Sequence, residues 1–174
     1  MVHLYLTGPY GAGKSTTAVA LANLLNWPCI DPDQVFIEEF GDIGKFIQQH
    51  GWRKMIEKSS GILRALPKGN FVIPQVLFGN KDGEDIKEKD AQFCQKNGVL
   101  ILILPDRAIK RSAEICYARE QKREYRISFE EVLERHKYSI PLLKKYADII
   151  VYDNVSPENA ALKIKSELQK RKII

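Results

Sequence analysis

The chain has 174 residues, of which 44% are hydrophobic and 28% charged, and its net charge is 27 − 22 = +5. These values predict one globular domain over residues 1–174 and exclude a disordered chain, and no apolar run reaches the roughly 20 residues that cross a bilayer. Three scattered cysteines predict reduced thiols in a cytoplasmic protein without a membrane partner. Because the sequence starts directly in a strand, it also predicts no signal peptide.

The first predicted elements are a strand over about 2–7 and a helix over 14–25, joined by the pattern G-x-x-x-x-G-K-[ST] of a phosphate-binding (Walker A) loop. Glycines let backbone N–H groups point inward at a phosphate, and the helix N-terminus adds a positive dipole end. Lys14 would reach the β- and γ-phosphates as a catalytic residue, and the Ser15 hydroxyl would ligate Mg²⁺. The alternative is a glycine-rich turn with a surface lysine. The pattern predicts an ATP and Mg²⁺ site formed by Gly8, Tyr10, Gly11, Ala12, Gly13, Lys14, Ser15 and Thr16.

Two carboxylates follow the second predicted strand, a short buried one at Cys29–Ile30. One of Asp31 and Asp33 could hold the hydration shell of Mg²⁺, and the other could accept a proton from a hydroxyl that attacks the γ-phosphate. The alternative is helix capping, with Pro32 in the first turn, but Asp31 alone satisfies a cap.

The remaining elements alternate between strand and helix. Further strands are predicted over 71–78 (broken by Pro74), 99–104 and 149–152. Helices are predicted from Pro32, over 52–66 and 84–96, and from 105, 128 and 156, with Pro141 bending or ending the fifth of them. This order predicts an α/β fold with a parallel sheet covered on both faces, and a ligand at the carboxyl ends of the strands.

A basic segment over 107–126 carries seven basic and three acidic residues, a net of 7 − 3 = +4. Small kinases need a closing segment whose arginines meet the transferring phosphate and exclude water. We therefore predict a lid at about 117–128, with Arg119 and Arg123 as catalytic residues and Arg126 as a further candidate. The alternative is a solvated helix end, which charged runs usually are.

The chain resembles the shikimate kinase family of small P-loop kinases. The similar features are the loop, the Asp31–Asp33 pair, Gly51-Trp52-Arg53 at the start of a helix, and the closing pattern over 141–148. The resemblance implies a three-layer fold with a five-stranded parallel sheet, a mobile lid, an ATP donor and Mg²⁺. It also implies that Asp33 and Arg53 contact the acceptor and that Asp31 lies near the metal.

Several positions depart from the family pattern. The glycine triplet after the third strand is replaced by Ile73-Pro74-Gln75, and the acceptor-binding arginine before Pro141 is replaced by Ser139. Arg135 lies one helical turn earlier and is a candidate substitute. Because Gln75 both donates and accepts hydrogen bonds, these changes predict a small hydroxylated acceptor, such as a nucleoside, nucleotide or sugar-like molecule, with shikimate poor or inactive.

Three functions remain open at this point. The leading hypothesis is an ATP- and Mg²⁺-dependent kinase acting on a hydroxyl of a small molecule, as a monomer or homodimer. A polynucleotide 5′-end or RNA-processing kinase would use the basic segment to bind phosphates, although no aromatic and basic residues alternate to stack bases. A non-catalytic or weakly hydrolytic ATP-binding switch is the third, because Gln75 stands where an acid is expected.

Overall fold

The computed structural model describes residues 1–79, 81–120 and 128–174. Its sheet contains four parallel strands in the order β2-β1-β3-β4, with β1 at the centre paired to β2 and β3. The register aligns His3 of β1 with Phe71 of β2 and with Gly98 of β3. The strands are β1 His3–Thr7, β2 Phe71–Pro74, β3 Gly98–Leu104 and β4 Ile149–Tyr152.

Helices connect the strands in the α/β order that the sequence predicts. Within the described residues they are α1 Lys14–Leu25, α2 Pro32–Phe40, α3 Ile43–His50, α4 Trp52–Ala65, α5 Glu84–Asn97, α6 Ile109–Glu120, α7 Phe129–Tyr146 and α8 Pro157–Lys170. None of the helices in the described part of the chain combines the length and the apolar character needed to cross a membrane.

The core has two layers because alternate side chains of each strand point to opposite faces of the sheet. One layer lies between the sheet and helices α1 and α8, and it contains Leu4, Leu6, Leu21, Ile101, Ile103, Ile149, Val151, Ile164 and Leu168. The other lies between the sheet and helices α4, α5 and α7, and it contains Tyr5, Leu63, Ile73, Cys94, Leu100, Leu102, Ile140 and Leu143. Because helices cover both faces of the sheet, the edge at which the strands have their carboxyl ends remains open.

The prediction of five strands is wrong for the described residues, which form four. Cys29 makes only an isolated parallel bridge with Val72 of β2. The backbone N–H of Ile30 donates to the Val72 carbonyl at 3.0 Å, but the chain turns immediately afterwards, because Asp31 caps α2 and Pro32 begins it. The predicted second strand is therefore reduced to a single residue pair, Cys29 with Val72, at the edge of the sheet beside β2.

Three other boundaries differ from the predictions. Strand β2 stops at Pro74 instead of continuing to residue 78, and α6 begins at Ile109, after a turn in which Asp106 accepts a hydrogen bond from the Ala108 N–H at 2.8 Å. Helix α7 passes through Pro141 to Tyr146, so of the two predicted effects of this proline, bending or ending the helix, the second does not occur. The last turns of α7 bury Ile140 and Leu143 in the core, which compensates for the backbone hydrogen bond that proline removes.

Candidate active site

The phosphate-binding loop connects β1 to α1 and packs against two distant parts of the chain. A Cβ atom at Gly8 would lie 2.5 Å from the backbone oxygen of Ile103, at the end of β3. Gly11 has φ +77°, and a Cβ there would lie 2.9 Å from the carbonyl oxygen of Cys116 in α6. These approaches require glycine, so the loop geometry is specified by the sequence and held by the fold.

Lys14 begins α1 and folds back over the loop. Its residue is only 8% exposed, and its Nζ donates to the Pro9 carbonyl at 3.2 Å and lies 5.5 Å from the centre of the Tyr10 ring. An ammonium held at this depth, next to a helix N-terminus, is the arrangement that binds a phosphate chain.

The loop forms one wall of a cavity of about 260 Å³, which we call the donor cavity. Eight of the predicted site residues meet there: Tyr10, Gly11, Gly13, Lys14, Ser15, Thr16, Asp33 and Arg119. The other residues of its wall are Val76 and Glu120. The cavity therefore offers a cation, a hydroxyl and a carboxylate within one space.

A second cavity of about 200 Å³ lies on the other side of Arg119, between Ala12, Gly13 and Thr16 of the loop and the segment 153–157. The Arg119 guanidinium donates to the Gly11 carbonyl at 3.1 Å, so this side chain separates the two spaces. Asp153 fixes the facing segment by accepting hydrogen bonds from the backbone N–H groups of Val155 at 2.8 Å and Ser156 at 3.2 Å. The wall of this second space includes the apolar side chains of Ile103, Val155 and Pro157.

The two aspartates after Cys29–Ile30 have different positions. Asp31 caps α2 by accepting the Asp33 backbone N–H at 3.0 Å, as the capping alternative expected, and its place near a metal stays a prediction. The Asp33 side chain lines the donor cavity. Burial raises the pKa of Asp33, Asp31 raises it further, and Lys14 opposes the rise. A carboxylate with a raised pKa is suited to accept a proton.

A third cavity, of about 230 Å³, opens on the far side of Asp33, and we call it the acceptor cavity. It shares Tyr10, Asp33 and Val76 with the donor cavity. Helix α4 contributes Trp52, Met55, Ile56 and Ser59, which share one face because they are spaced by three and four residues. The remaining residues of its wall are Ile43, Gln75, Gly79, Lys87 and Asp90.

Lys87 and Asp90 of this wall were missed by the sequence reasoning. Both lie on the buried face of α5 that Ala91 and Cys94 define. The sequence did contain a signal for them: helical spacing requires buried side chains at these two positions, yet they hold a lysine and an aspartate. Asp90 accepts the Ser60 hydroxyl at 2.8 Å and forms an ion pair with Arg64, which ties α5 to α4.

Arg53 lies apart from the acceptor cavity wall. Its side chain is 62% exposed and makes a bidentate pair with Asp85, with both distances 3.2 Å, and a longer contact of 3.7 Å with Glu57. The predicted contact of Arg53 with an acceptor thus stays a prediction. Gln75, by contrast, is buried in the cavity wall, and its Oε1 finds no hydrogen-bond partner among the described residues.

Arg135 lines a small cavity of about 20 Å³, behind Tyr10 and Gly79, that Ser139 and His136 also line. Its guanidinium pairs with Glu131 at 2.5 Å. His136 binds the Val132 carbonyl through Nδ1 at 2.8 Å, and burial lowers the pKa of its ring. Arg135 is thus next to the acceptor cavity, but its carboxylate partner is Glu131.

The predicted lid is only partly described. Arg119 is placed in the donor cavity wall, whereas Arg123 and Arg126 lie outside the described residues. Among the described residues, no group of three or more His, Cys, Asp or Glu side chains could hold a metal ion alone. A metal here would need ligands from the phosphates as well, which is usual for Mg²⁺.

Comparison with known proteins gives a consistent result. The sequence model of the shikimate kinase family matches residues 10–169. A shikimate kinase from Caldicellulosiruptor saccharolyticus is 27% identical over 167 residues, which cover 94% of each chain. Shikimate kinase 2 from Shigella dysenteriae is 27% identical over 101 residues, which cover 58% of this chain and only 55% of that protein. The structure of shikimate kinase from Acinetobacter baumannii, in complex with shikimate, matches with a TM-score of 0.79 and 20% identity over 100% of this chain and 96% of that one.

Proposed function

Because the chain belongs to the shikimate kinase family, we propose that it transfers the γ-phosphate of ATP, with Mg²⁺, to a hydroxyl of a small molecule. The observation that carries this proposal is the position of Asp33, which lines both the donor cavity and the acceptor cavity. A phosphoryl group that is transferred from a ligand in the donor cavity to a ligand in the acceptor cavity must pass Asp33, which lies between the two cavities.

ATP fits the donor side on the chemistry of its walls. The loop N–H groups and the Lys14 ammonium would bind the phosphates, and the Ser15 hydroxyl would be a ligand for Mg²⁺. The bound metal would neutralise charge on the phosphates. The base would enter the cavity between Arg119 and the segment 153–157.

Asp33 then acts on the acceptor. Its carboxylate would accept the proton of the attacking hydroxyl, and its raised pKa makes it a stronger base than an ordinary aspartate. Asp31, which caps α2, would face the hydrated metal. Arg119 already contacts the loop, and its guanidinium would stabilise charge that develops on the transferring group.

The acceptor is a small hydroxylated molecule that fits the acceptor cavity. The names of the relatives favour shikimate, whereas Gln75 in the cavity wall and Ser139 behind it favour other acceptors. Our prediction that shikimate is poor or inactive therefore remains to be tested. We further propose that residues 1–174 act as one unit, with 117–128 closing over the donor cavity.

The test is transfer of labelled phosphate from ATP to shikimate, gluconate, nucleosides, nucleoside monophosphates and a 5′-hydroxyl oligonucleotide. We expect transfer to one small molecule, and a loss of about 100- to 1000-fold in Lys14→Ala, because the ammonium meets charge on the transferring group. Lys68→Ala is the matched control, since Lys68 is exposed in the turn before β2, at the opposite edge of the sheet.

Each outcome of this assay separates the hypotheses. Preference for the oligonucleotide would replace the proposal with a polynucleotide kinase. Slow ATP hydrolysis that no acceptor changes would favour the switch protein. Normal turnover in Lys14→Ala, with its melting temperature unchanged, would overturn the assignment of the loop.

A further inference from the structure

Tyr10 stands at the boundary between the donor cavity and the acceptor cavity. Three residues, Tyr10, Asp33 and Val76, belong to the walls of both cavities and therefore form this boundary. Asp33 contributes a carboxylate, and Val76 contributes a small apolar group. Tyr10 has the largest side chain of the three, so its ring fills more of the boundary than either of the others.

The Tyr10 ring is held from two sides. On one side, the Lys14 ammonium lies 5.5 Å from the centre of the ring, which is a cation–π distance. On the other side, a Cβ atom at Gly79 would lie 3.2 Å from Cε2 of Tyr10 and 3.3 Å from its hydroxyl oxygen. Tyr10 is nevertheless 37% exposed, so the ring faces open space and is not part of the core.

The chemistry at this boundary has to distinguish an acceptor hydroxyl from water. A carboxylate such as Asp33 accepts a proton from either, and water is far more abundant than any acceptor. The phenol of Tyr10 stays protonated at neutral pH, because burial raises its pKa and the Asp33 charge raises it further, while Arg135 opposes the rise. The ring therefore places an uncharged, largely apolar surface beside the carboxylate.

We propose that Tyr10 is a specificity-determining residue that selects the acceptor hydroxyl over water, because its ring fills the space beside Asp33 from which water would attack the γ-phosphate. This inference rests on the proposed function, since it takes the donor cavity as the ATP site and Asp33 as the proton acceptor. Tyr10 thereby couples the consumption of ATP to the presence of an acceptor.

Two reactions compete at the boundary. In transfer, the acceptor oxygen bonds to the γ-phosphorus, the bond from that phosphorus to the leaving oxygen of ADP breaks, and the hydroxyl proton goes to Asp33. In hydrolysis, a water oxygen forms the bond, a water proton goes to Asp33, and the products are ADP and inorganic phosphate. The walls of the acceptor cavity orient a bound acceptor at many points, whereas they hold a water molecule at few. Filling space beside Asp33 therefore disfavours water more than the acceptor.

The experiment measures the release of inorganic phosphate from ATP and Mg²⁺ without any acceptor. We expect slow release by the wild-type protein and release about 10-fold faster or more by Tyr10→Ala, because the vacated space admits water. The conservative variant Tyr10→Phe, which keeps the ring, should restore the slow rate. Calorimetry should show that Tyr10→Ala weakens ATP binding by no more than about fivefold, the value of one exposed cation–π contact.

Tyr138→Ala is the matched control, because the Tyr138 hydroxyl binds Glu84 at 2.6 Å, away from this boundary. It should release phosphate as slowly as the wild type. If Tyr10 served only to hold Lys14, Tyr10→Ala would bind ATP more weakly and hydrolyse it more slowly, which is the opposite direction. Tyr10→Leu, whose side chain is apolar but smaller than the ring, replaces the alanine variant if that variant does not fold.

The outcomes distinguish this inference from the proposed function. Transfer to an acceptor, with acceptor-free hydrolysis no faster in Tyr10→Ala than in the wild type, overturns the role of Tyr10 and leaves the kinase. Faster hydrolysis in Tyr10→Ala, with no acceptor phosphorylated by the wild type, supports the exclusion of water by the ring and overturns the kinase. Equally fast hydrolysis in Tyr10→Phe and Tyr10→Ala overturns the inference, because the ring would then not exclude water.

Discussion

The donor and acceptor halves of the site are built in different ways. The donor half is a contiguous loop, residues 8–16, whose backbone N–H groups would bind the phosphates, with Asp33 and Arg119 in the same wall. The acceptor half is a wall of side chains from several helices and from the segment after β2. If both halves act as proposed, the difference teaches that backbone geometry fixes what donates the phosphate, whereas individual side chains decide what receives it.

The two halves also differ in how a substitution affects them. A side chain added to the loop meets backbone atoms of β3 or α6, which cannot move away without disturbing the sheet. A substitution in the acceptor wall changes the shape or charge of an open space. We therefore expect the loop variants to lose stability and the wall variants to change specificity.

The largest expected effect is at Asp33, where the halves meet. Asp33→Asn should lower kcat about 100-fold or more, because the amide cannot accept the hydroxyl proton. The active form of Asp33 is the carboxylate, so wild-type kcat should fall as the pH drops through its raised pKa. The variant should lack this acidic limb, and steady-state kinetics over pH measure both effects.

Asp42→Asn is the control for this change. Asp42 caps α3 through the Lys45 N–H at 2.8 Å, a role that asparagine also fills, so its activity and pH profile should match wild type. If Asp33→Asn kept the wild-type kcat, Asp33 would have no role in the catalytic step and would only line the cavities.

An intermediate effect is expected from a matched pair of glycines. Gly11→Ala should lower the free energy of unfolding by about 1–3 kcal/mol and weaken ATP binding, because its φ is +77° and its Cβ would crowd the Cys116 carbonyl. Gly61 lies within α4, and a Cβ added there would meet no other atom within 4 Å, so Gly61→Ala should raise the free energy of unfolding by about 0.5–1 kcal/mol. Chemical denaturation measures both, and equal changes would refute the strained loop.

The smallest expected effect is at Arg53. Because its guanidinium pairs with Asp85 on the surface, Arg53→Gln should change the KM of the acceptor by no more than about twofold. Lys54→Gln, at the neighbouring exposed position of α4, gives the comparison. A large rise in acceptor KM for Arg53→Gln alone would indicate that Arg53 leaves Asp85 and enters the cavity when the acceptor binds.

The donor half was predictable because its signal is local. The loop pattern, the strand before it and the helix after it are adjacent in the sequence, and each has its own residue preference. The prediction that Asp33 stands beside the loop also succeeded, because parallel strands end at the same edge of the sheet. The predicted helix starts at 128 and 156 rest on a similarly local signal, since the Ser128 and Ser156 hydroxyls accept the backbone N–H groups of Glu131 and Asn159, each at 3.1 Å.

The acceptor half was harder to predict because its contacts join residues far apart in the sequence. Nothing near Arg53 indicates that Asp85, 32 residues later, takes up its guanidinium. Lys87 stood in a predicted helix, but helical spacing alone does not say that its face borders a cavity. The prediction of a fifth strand was wrong for a local reason, because Pro32 begins a helix before a second bridge to β2 can form.

The contact between Gly11 and α6 joins parts of the chain 108 residues apart through the hydrogen bond from Arg119. Thermodynamic linkage makes this contact reciprocal: a nucleotide that immobilises the loop also immobilises the end of α6, and any change that loosens α6 weakens the nucleotide's hold. Helix α6 ends at Glu120, where the segment 121–127 begins. Substitutions within α6 that loosen its last turn should therefore weaken nucleotide binding even where they do not line the donor cavity.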